Sequence, residues 1–359
     1  MNLFRSNAGT PSTGLNDKKN ADGSAKNEKK MFPHQRKIQW GLFIGVVWVL
    51  LVWGSPPLAL ILGMILALTF GSPIPKSGGK ISKWLLQSCV VLLGFGMNLP
   101  TILEVGMRGA VFAAITIGTT LLLGYWVGRW IGITRSTSTL ISAGTAICGG
   151  SAIAAVSSVI TVSEGEIAVA MGTVFLLNAV SLYLFPFLGH LLALSQPQFG
   201  VWSGVAIHDI SSVVGASMVY GPQSLEVATA VKLSRTLWIV PVTLAIGWFY
   251  SQRRKGNETD LTKAHAKKIK VAVPWFIGLF LVASLIRSFV PGIDSWTPEI
   301  SRIAKAGFTV VLFLIGTGLS AETLRKVGWR AGVQGVILWS FISVASLLVI
   351  LFLGGKGLF

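Results

Sequence analysis

Two cations, Lys232 and Arg235, lie three residues apart in an otherwise apolar stretch of the chain. At this spacing two side chains share one face of an α-helix. An ionisable group at membrane depth costs at least about 2.5–3.5 kcal/mol, so a chain keeps one for a reason. Arginine offers planar bidentate donors and lysine a point charge, which predicts a clamp for a small oxyanion. The alternatives are a structural ion pair with Asp209 or Glu226, or side chains that snorkel to an interface.

His208 and Asp209, which are neighbours in an apolar stretch, are candidates for ion coupling. Adjacent residues point about 100° apart on a helix, so one can face the cations while the other faces a pathway. Histidine titrates near neutral pH, and a carboxylate among buried cations can exchange charge with a substrate. The alternative is that Asp209 only neutralises one buried cation.

A small-residue segment at 144–151 falls at predicted mid-membrane depth. Its candidate site residues are Gly144, Thr145, Cys148, Gly149, Gly150 and Ser151. Glycine weakens a helix by about 1 kcal/mol relative to alanine, and broken backbone survives in a membrane only where protein or a cavity surrounds it. Because half-helices present N–H groups to anions, we expect a break that cradles the substrate. The alternative is that small residues simply allow close helix crossing.

Three further polar residues lie in these apolar stretches. Ser211 and Ser212 follow His208 by one turn and can donate hydroxyl groups to a substrate, although serine in a membrane helix more often bonds to backbone. Asn178 is expected to bond across helices, with a ligand contact as the second interpretation.

The composition predicts an all-α polytopic membrane protein. Of the 359 residues 52% are hydrophobic and only 12% are charged, against about 25% charged in soluble domains. We count about eleven transmembrane helices, because most apolar segments can cross a core of about 30 Å. The segments are 38–54, 57–71, 84–99, 109–131, 138–160, 167–194, 201–220, 228–250, 272–290, 303–319 and 331–354.

The net charge of +17 is distributed as a topology signal. Eight of the 30 Lys and Arg residues lie in the first 37 residues, and seven lie between 253 and 270. With the N-terminus in the cytoplasm and the C-terminus outside, these cations and Arg135 fall inside and the acidic pair at 164–166 falls outside. The pattern predicts a multi-pass protein of the cytoplasmic (inner) membrane with the lipid bilayer as a partner, and it argues against nucleic acid.

Three regions follow from this topology. Residues 1–37 lack an apolar run and predict a disordered cytoplasmic tail. Residues 38–354 predict the membrane transport domain, which contains a basic cytoplasmic loop at 251–270.

Two internal similarities predict repeats. Residues 92–111 align with 314–333. The predicted topology places the loops of the two copies on opposite sides of the membrane, which is typical of inverted repeats in secondary transporters. Residues 143–157 align with 203–217, identical at five of fifteen positions. The span count makes this second pair parallel, whereas an inverted pair is antiparallel. Either one segment is re-entrant, or the similarity is convergent use of small residues.

Catalytic patterns find little support in the sequence. It contains no zinc-binding or Walker-type run, and its four histidines are scattered, so we expect no enzyme activity, no metal and no cofactor. An intramembrane hydrolase that uses Ser151 with His208 needs a contact that the sequence does not reveal.

Three motifs, GTAICGGSAIAA at 144–155, SGVAIHDISSVVGAS at 203–217 and VKLSRTLWIVP at 231–241, resemble those of the YeiH-like sulfate exporter family. That family is similar to the bile-acid/arsenite/riboflavin and cation–proton antiporter superfamily. The resemblance implies inverted repeats, discontinuous crossing helices, a panel domain that forms a homodimer, and elevator-like alternating access. By this resemblance, roles in binding or coupling the substrate are implied for residues 144–151, His208, Asp209, Lys232 and Arg235.

The expected function is secondary transport of a small sulfate-like, sulfite or sulfonate anion, outward and coupled to protons or sodium. The clamp of Lys232 and Arg235 would attract the anion, 144–151 would cradle it, and His208 or Asp209 would couple it to the ion. The alternatives are an anion channel and a structural or sensory membrane protein.

Overall fold

The computed structural model describes residues 41–50, 54–69, 78–255, 275–318 and 328–354. Among these residues the chain forms helices, turns and short connections, with no strand, so the all-α prediction is confirmed. The predicted tail at 1–37, residues 256–270 of the basic loop, and part of the repeat at 314–333 lie outside the described residues.

The helices are numbered here in chain order within the described ranges. They are α1 (Gly41–Leu50), α2 (Pro56–Thr69), α3 (Gly78–Gly94), α4 (Leu99–Ile131), α5 (Arg135–Ala146), α6 (Gly150–Ser157), α7 (Glu164–Leu191), α8 (Gln196–Ala206), α9 (Ile210–Tyr220), α10 (Pro222–Leu237), α11 (Ile239–Lys255), α12 (Trp275–Phe289), α13 (Thr297–Gly318) and α14 (Trp329–Gly354). A 3-10 turn at Ile293–Ser295 precedes α13.

Five stretches within the described ranges are long and apolar enough to cross a membrane. They lie in α4, α7, the consecutive pair α10–α11, α13 and α14, and they contain 22 to 31 residues. Large apolar side chains on their outer faces are exposed, among them Trp126 and Trp130 of α4. Exposed apolar surface on this scale suits lipid rather than water, so the protein is a helical membrane protein.

The predicted crossing at 138–160 is a re-entrant hairpin, which we call hairpin 1 (residues 135–157, comprising α5, a turn and α6). A Cβ placed on Gly144 would lie 2.9 Å from Cδ1 of Ile153, so the two arms lie side by side. The Thr134 hydroxyl, which caps α5, donates to the Glu166 carboxylate near the start of α7 at 2.8 Å. Hairpin 1 therefore returns to the end of the bundle at which it entered.

The predicted crossing at 201–220 is also re-entrant, and we call it hairpin 2 (residues 196–220, comprising α8, a turn and α9). The Tyr220 hydroxyl at its end donates to the carbonyl of Leu194 just before its start, at 2.5 Å. Between the arms, the hydroxyl oxygens of Ser203 and Ser217 lie 3.0 Å apart. Both hairpins correct the sequence prediction, which counted them among eleven crossings.

Helix α7 connects the two hairpins, so they enter the bundle from opposite ends. Because hairpin 1 turns back, Glu164 and Glu166 at the start of α7 lie at the same end of the bundle as Arg135, where hairpin 1 begins. The sequence prediction placed the acidic pair on the opposite side from Arg135 and was wrong here. The error follows from the miscounted crossing, because each crossing inverts the side of the next loop.

Helices α2, α3, α12 and α13 pack together beside hairpin 2. Glycines allow their backbones to approach closely: a Cβ on Gly94 would lie 2.5 Å from the carbonyl oxygen of Phe280, and one on Gly316 would lie 2.4 Å from that of Leu60. Gly94 and Gly316 occupy equivalent positions in the similarity between 92–111 and 314–333. The two glycines thus serve the same packing purpose in different helices.

Candidate functional site

The tips of the two hairpins meet inside the bundle. Hairpin 1 turns at Gly149, whose φ of +69° favours glycine. A Cβ on Gly149 would lie 3.6 Å from the Cβ of His208, at the turn of hairpin 2, and 3.2 Å from Cγ1 of Val174. The helix break predicted at 144–151 is confirmed, because α5 ends at Ala146 and α6 begins at Gly150. Both turns are buried.

Lys232 of α10 bonds to both hairpin tips. Its Nζ donates to the carbonyl of Ile207 at 2.5 Å and to the carbonyl of Ile147 at 3.2 Å, and the residue is only 1% exposed. These two carbonyls follow the last residues of α5 and α8, where helix ends leave acceptors without intrahelical partners and carry partial negative charge. One ammonium group therefore satisfies the broken ends of both hairpins.

Arg235 lies one turn beyond Lys232 and is fully buried. Its Nη1 donates to the Thr116 hydroxyl of α4 at 2.7 Å, and its Nη2 donates to the carbonyl of Ala146 at the end of α5. Its Nε is buried without a hydrogen-bond partner. Both cations of the predicted clamp thus reach the tip of hairpin 1, which agrees with the expectation that they share one helix face.

Neither cation forms an ion pair with a carboxylate of the described residues, within the 4.0 Å that defines such a pair. The structural ion pair with Asp209 or Glu226 is therefore not observed there. Full burial also excludes snorkelling for Lys232 and Arg235. The hydrogen-bond partners of the two buried cations are carbonyls and a hydroxyl, so neither positive charge has a directly paired carboxylate, and such an arrangement favours an anion nearby.

Asp209 caps the N-terminus of α9. Its Oδ2 accepts hydrogen bonds from the backbone N–H of Ser211, at 3.1 Å, and from the Ser211 hydroxyl. A carboxylate at this position satisfies a free N–H and complements the positive end of the helix dipole. Ser211 accordingly serves Asp209, whereas the sequence assigned its hydroxyl to the substrate.

Asn178 of α7 holds the turn of hairpin 2. Its Oδ1 accepts from the backbone N–H groups of His208 at 3.1 Å and Asp209 at 3.3 Å. This contact confirms the expectation of a buried asparagine bonded across elements. Its Nδ2 is buried and has no partner, so the amide retains a donor for a ligand.

Several buried polar atoms around the tips have no hydrogen-bond partner in the protein. They are Thr145 Oγ1, Asn178 Nδ2, Arg235 Nε, and both ring nitrogens of His208. A buried polar atom left unpaired costs about 1–3 kcal/mol, so such atoms are uncommon in native proteins. These five atoms lie on the elements that form the tips, where they are available to hydrogen-bonding groups from outside the protein.

The remaining candidate residues are distributed around this centre. Cys148 is buried at the tip of hairpin 1, whereas Gly144 packs the arms of that hairpin together. Gly150 is partly buried beside Phe175, and Ser151 is exposed. Ser212 is buried in the first turn of α9.

Sequence reasoning missed two polar residues that support the site. Thr116 positions Arg235, but a threonine in an apolar helix carries no distinguishing signal. Gln334 of α14 is fully buried, and its amide nitrogen donates to the Gly124 carbonyl at 3.1 Å and the Ser138 hydroxyl at 2.8 Å. An amide inside the apolar segment 331–354 was a signal that could have identified it.

The family model described as Conserved hypothetical protein 698 matches residues 41–335. The chain belongs to this family. A UPF0324 membrane protein of Porphyromonas gingivalis is 48% identical over 83% of this chain and 88% of its own length. Similar proteins from Bacteroides thetaiotaomicron and Bdellovibrio bacteriovorus, which carry the same description, are 45% and 46% identical over 84% and 83% of this chain and 87% and 89% of their own lengths. No solved structure gives a significant match.

Proposed function

We propose that this protein is a secondary active transporter that exports a small oxyanion of the sulfate, sulfite or sulfonate class across the cytoplasmic membrane. The observation that carries this proposal is the pair Lys232 and Arg235: both are buried, both contact hairpin tips, and neither pairs with a carboxylate of the described residues.

The charge balance at the tips favours an anion over a cation. Lys232 and Arg235 contribute two positive charges, and Asp209 contributes one negative charge that is already engaged at the start of α9. An excess positive charge in a low-dielectric interior is costly, and an anion that binds there offsets this cost. Unpaired donors on Asn178 and Arg235 suit the same ligand.

Opposed hairpins support transport rather than a purely structural role. We propose that hairpins 1 and 2 belong to an inverted repeat, in which the similarity between 143–157 and 203–217 relates segments that enter from opposite ends. Secondary transporters commonly place their sites where discontinuous helices of two such repeats meet, near the bilayer midplane. Elevator-like movement of this centre, with His208 or Asp209 coupling the anion to protons or sodium, completes the proposal.

Reconstitution into liposomes tests this function. Vesicles that contain the wild-type protein are expected to accumulate radiolabelled sulfate or sulfite above empty vesicles when a pH or sodium gradient is imposed. Flux without accumulation against a gradient would favour an anion channel instead. If folded protein moves neither anion under any gradient, the substrate assignment fails.

A purely structural role for the cations predicts a different result. Lys232 and Arg235 would then serve only as caps for the carbonyl ends of α5 and α8. In that case the variants Lys232→Met and Arg235→Gln would lower the melting temperature, and anion flux per folded molecule would not change.

A further inference from the structure

The two hairpin tips are equivalent in sequence but differ at one functional position. At an offset of 60 residues, Ala146 and Ile147 of hairpin 1 correspond to an identical Ala-Ile pair at 206–207 of hairpin 2. Lys232 donates to the carbonyls of Ile147 and Ile207, which are the corresponding residues of the two tips. The alignment and the geometry of the lysine therefore agree on which residues correspond.

The difference falls at the residue before each inner helix. In hairpin 2 this residue is Asp209, whose carboxylate accepts from the N–H and the hydroxyl of Ser211. In hairpin 1 the corresponding residue is Gly149, which has no side chain to cap α6. Ser151 corresponds to Ser211 and is exposed. Hairpin 1 thus retains the N–H and the hydroxyl that hold a carboxylate in hairpin 2, but it lacks the carboxylate.

A second observation is the unsatisfied side chain of His208, a residue whose backbone lies beside the uncapped end. The Cβ of His208 lies next to Gly149, since a Cβ placed on this glycine would be 3.6 Å away from it. The histidine is 1% exposed, and both its ring nitrogens lack partners. A neutral imidazole always has one N–H donor, so it can donate to an acceptor at this position.

We propose that the transported oxyanion binds as the missing cap of α6. One of its oxygens accepts from the backbone N–H and hydroxyl of Ser151, as Oδ2 of Asp209 does at Ser211, and His208 donates to it from the facing tip. The carboxylate of Asp209 then caps α9 of hairpin 2 in the way that the bound oxyanion caps α6 of hairpin 1. This inference rests on the proposed function and adds to it an assignment to hairpin 1. The ligand class is an oxyanion whose oxygens resemble those of a carboxylate.

Three serine-to-alanine variants test this assignment in full-length protein, with sodium sulfate and sodium sulfite as probes. Ser151→Ala removes the proposed hydroxyl from an exposed position and is expected to weaken anion binding about tenfold, as loss of one hydrogen bond to a charged group does. Ser157→Ala is the matched control on the same helix, because its hydroxyl donates to the Ala154 carbonyl at 3.0 Å. It is expected to bind like the wild type.

Ser211→Ala supplies the comparison with hairpin 2. This variant removes a donor from Asp209, so we expect a lower melting temperature and a smaller loss of affinity than Ser151→Ala causes. Titration calorimetry gives the affinities and thermal unfolding gives the stabilities. Equal affinity for Ser151→Ala and wild type, with transport intact, would overturn the hairpin 1 site and leave the proposed function standing. A greater loss from Ser211→Ala would move the anion to hairpin 2, and absence of wild-type binding to either probe would overturn both proposals.

Discussion

Replacing Arg235 by glutamine separates a binding role from a structural one. The change removes a fully buried positive charge and shortens the side chain, so the Ala146 carbonyl loses its donor. Thr116 keeps a partner, because its hydroxyl also lies 2.8 Å from the Phe112 carbonyl. Leaving this carbonyl without a donor lowers the free energy of unfolding by about 1–3 kcal/mol. Removing a buried cation that has no carboxylate partner acts in the opposite direction, because it relieves a desolvation cost of several kcal/mol. We therefore expect a change in stability below about 2 kcal/mol.

The effect of Arg235→Gln on anion binding should be larger. Two unit charges about 5 Å apart interact by about 3 kcal/mol at an effective dielectric constant of about 20. This energy corresponds to a loss of affinity of about a hundredfold or more. Titration calorimetry with sulfate and sulfite measures the affinity, and thermal unfolding of the same preparation measures the stability.

The matched control is Arg302→Gln, which makes the same chemical change on the surface. Arg302 is exposed and pairs with Glu299 at 2.9 Å, so we expect a change in stability within about 0.5 kcal/mol and no change in affinity. A large fall in the melting temperature of Arg235→Gln together with wild-type affinity would refute the reasoning, and it would assign Arg235 to capping α5.

Three further changes test the tips and the coupling. Asn178→Ala leaves the N–H groups of His208 and Asp209 without their acceptor, so it should destabilise the protein by about 2 kcal/mol or more in thermal unfolding. Gly149→Ala forces a side chain onto a φ of +69° and 3.2 Å from Val174, so it should reduce flux more than Gly150→Ala, and equal flux would contradict the tight turn. Asp209→Asn should make uptake insensitive to an imposed pH gradient if this carboxylate couples protons, whereas an unchanged response would leave His208 as the coupling group.

The spacing of particular residues predicted two local features of the candidate site. The three-residue interval between Lys232 and Arg235 placed both on one helix face, and both reach the hairpin tips. The glycines at 149 and 150 predicted a break, and the chain turns there. These features are local, because helix periodicity and glycine conformation depend on a few neighbouring residues.

The partners of these residues were not predictable in the same way. Asp209 was expected to face a cation or a substrate, but it caps its own helix. Thr116 lies 119 positions before Arg235 in the chain, and only packing of α4 against α10 brings the two together. Such contacts depend on how helices associate, which residue type alone does not specify.

The sequence by itself determined that this protein is a helical membrane protein, where its apolar segments lie and that one of them breaks at 144–151. Only the tertiary structure decided that 201–220 also breaks and that both segments turn back. The arms of hairpin 1 contain 12 and 8 residues, which together span about 30 Å if laid end to end, the thickness of a bilayer core. The length and hydropathy of the apolar segment are therefore the same for a crossing and for a hairpin. Contacts with α7 and Lys232 set the direction in which the chain continues after the break.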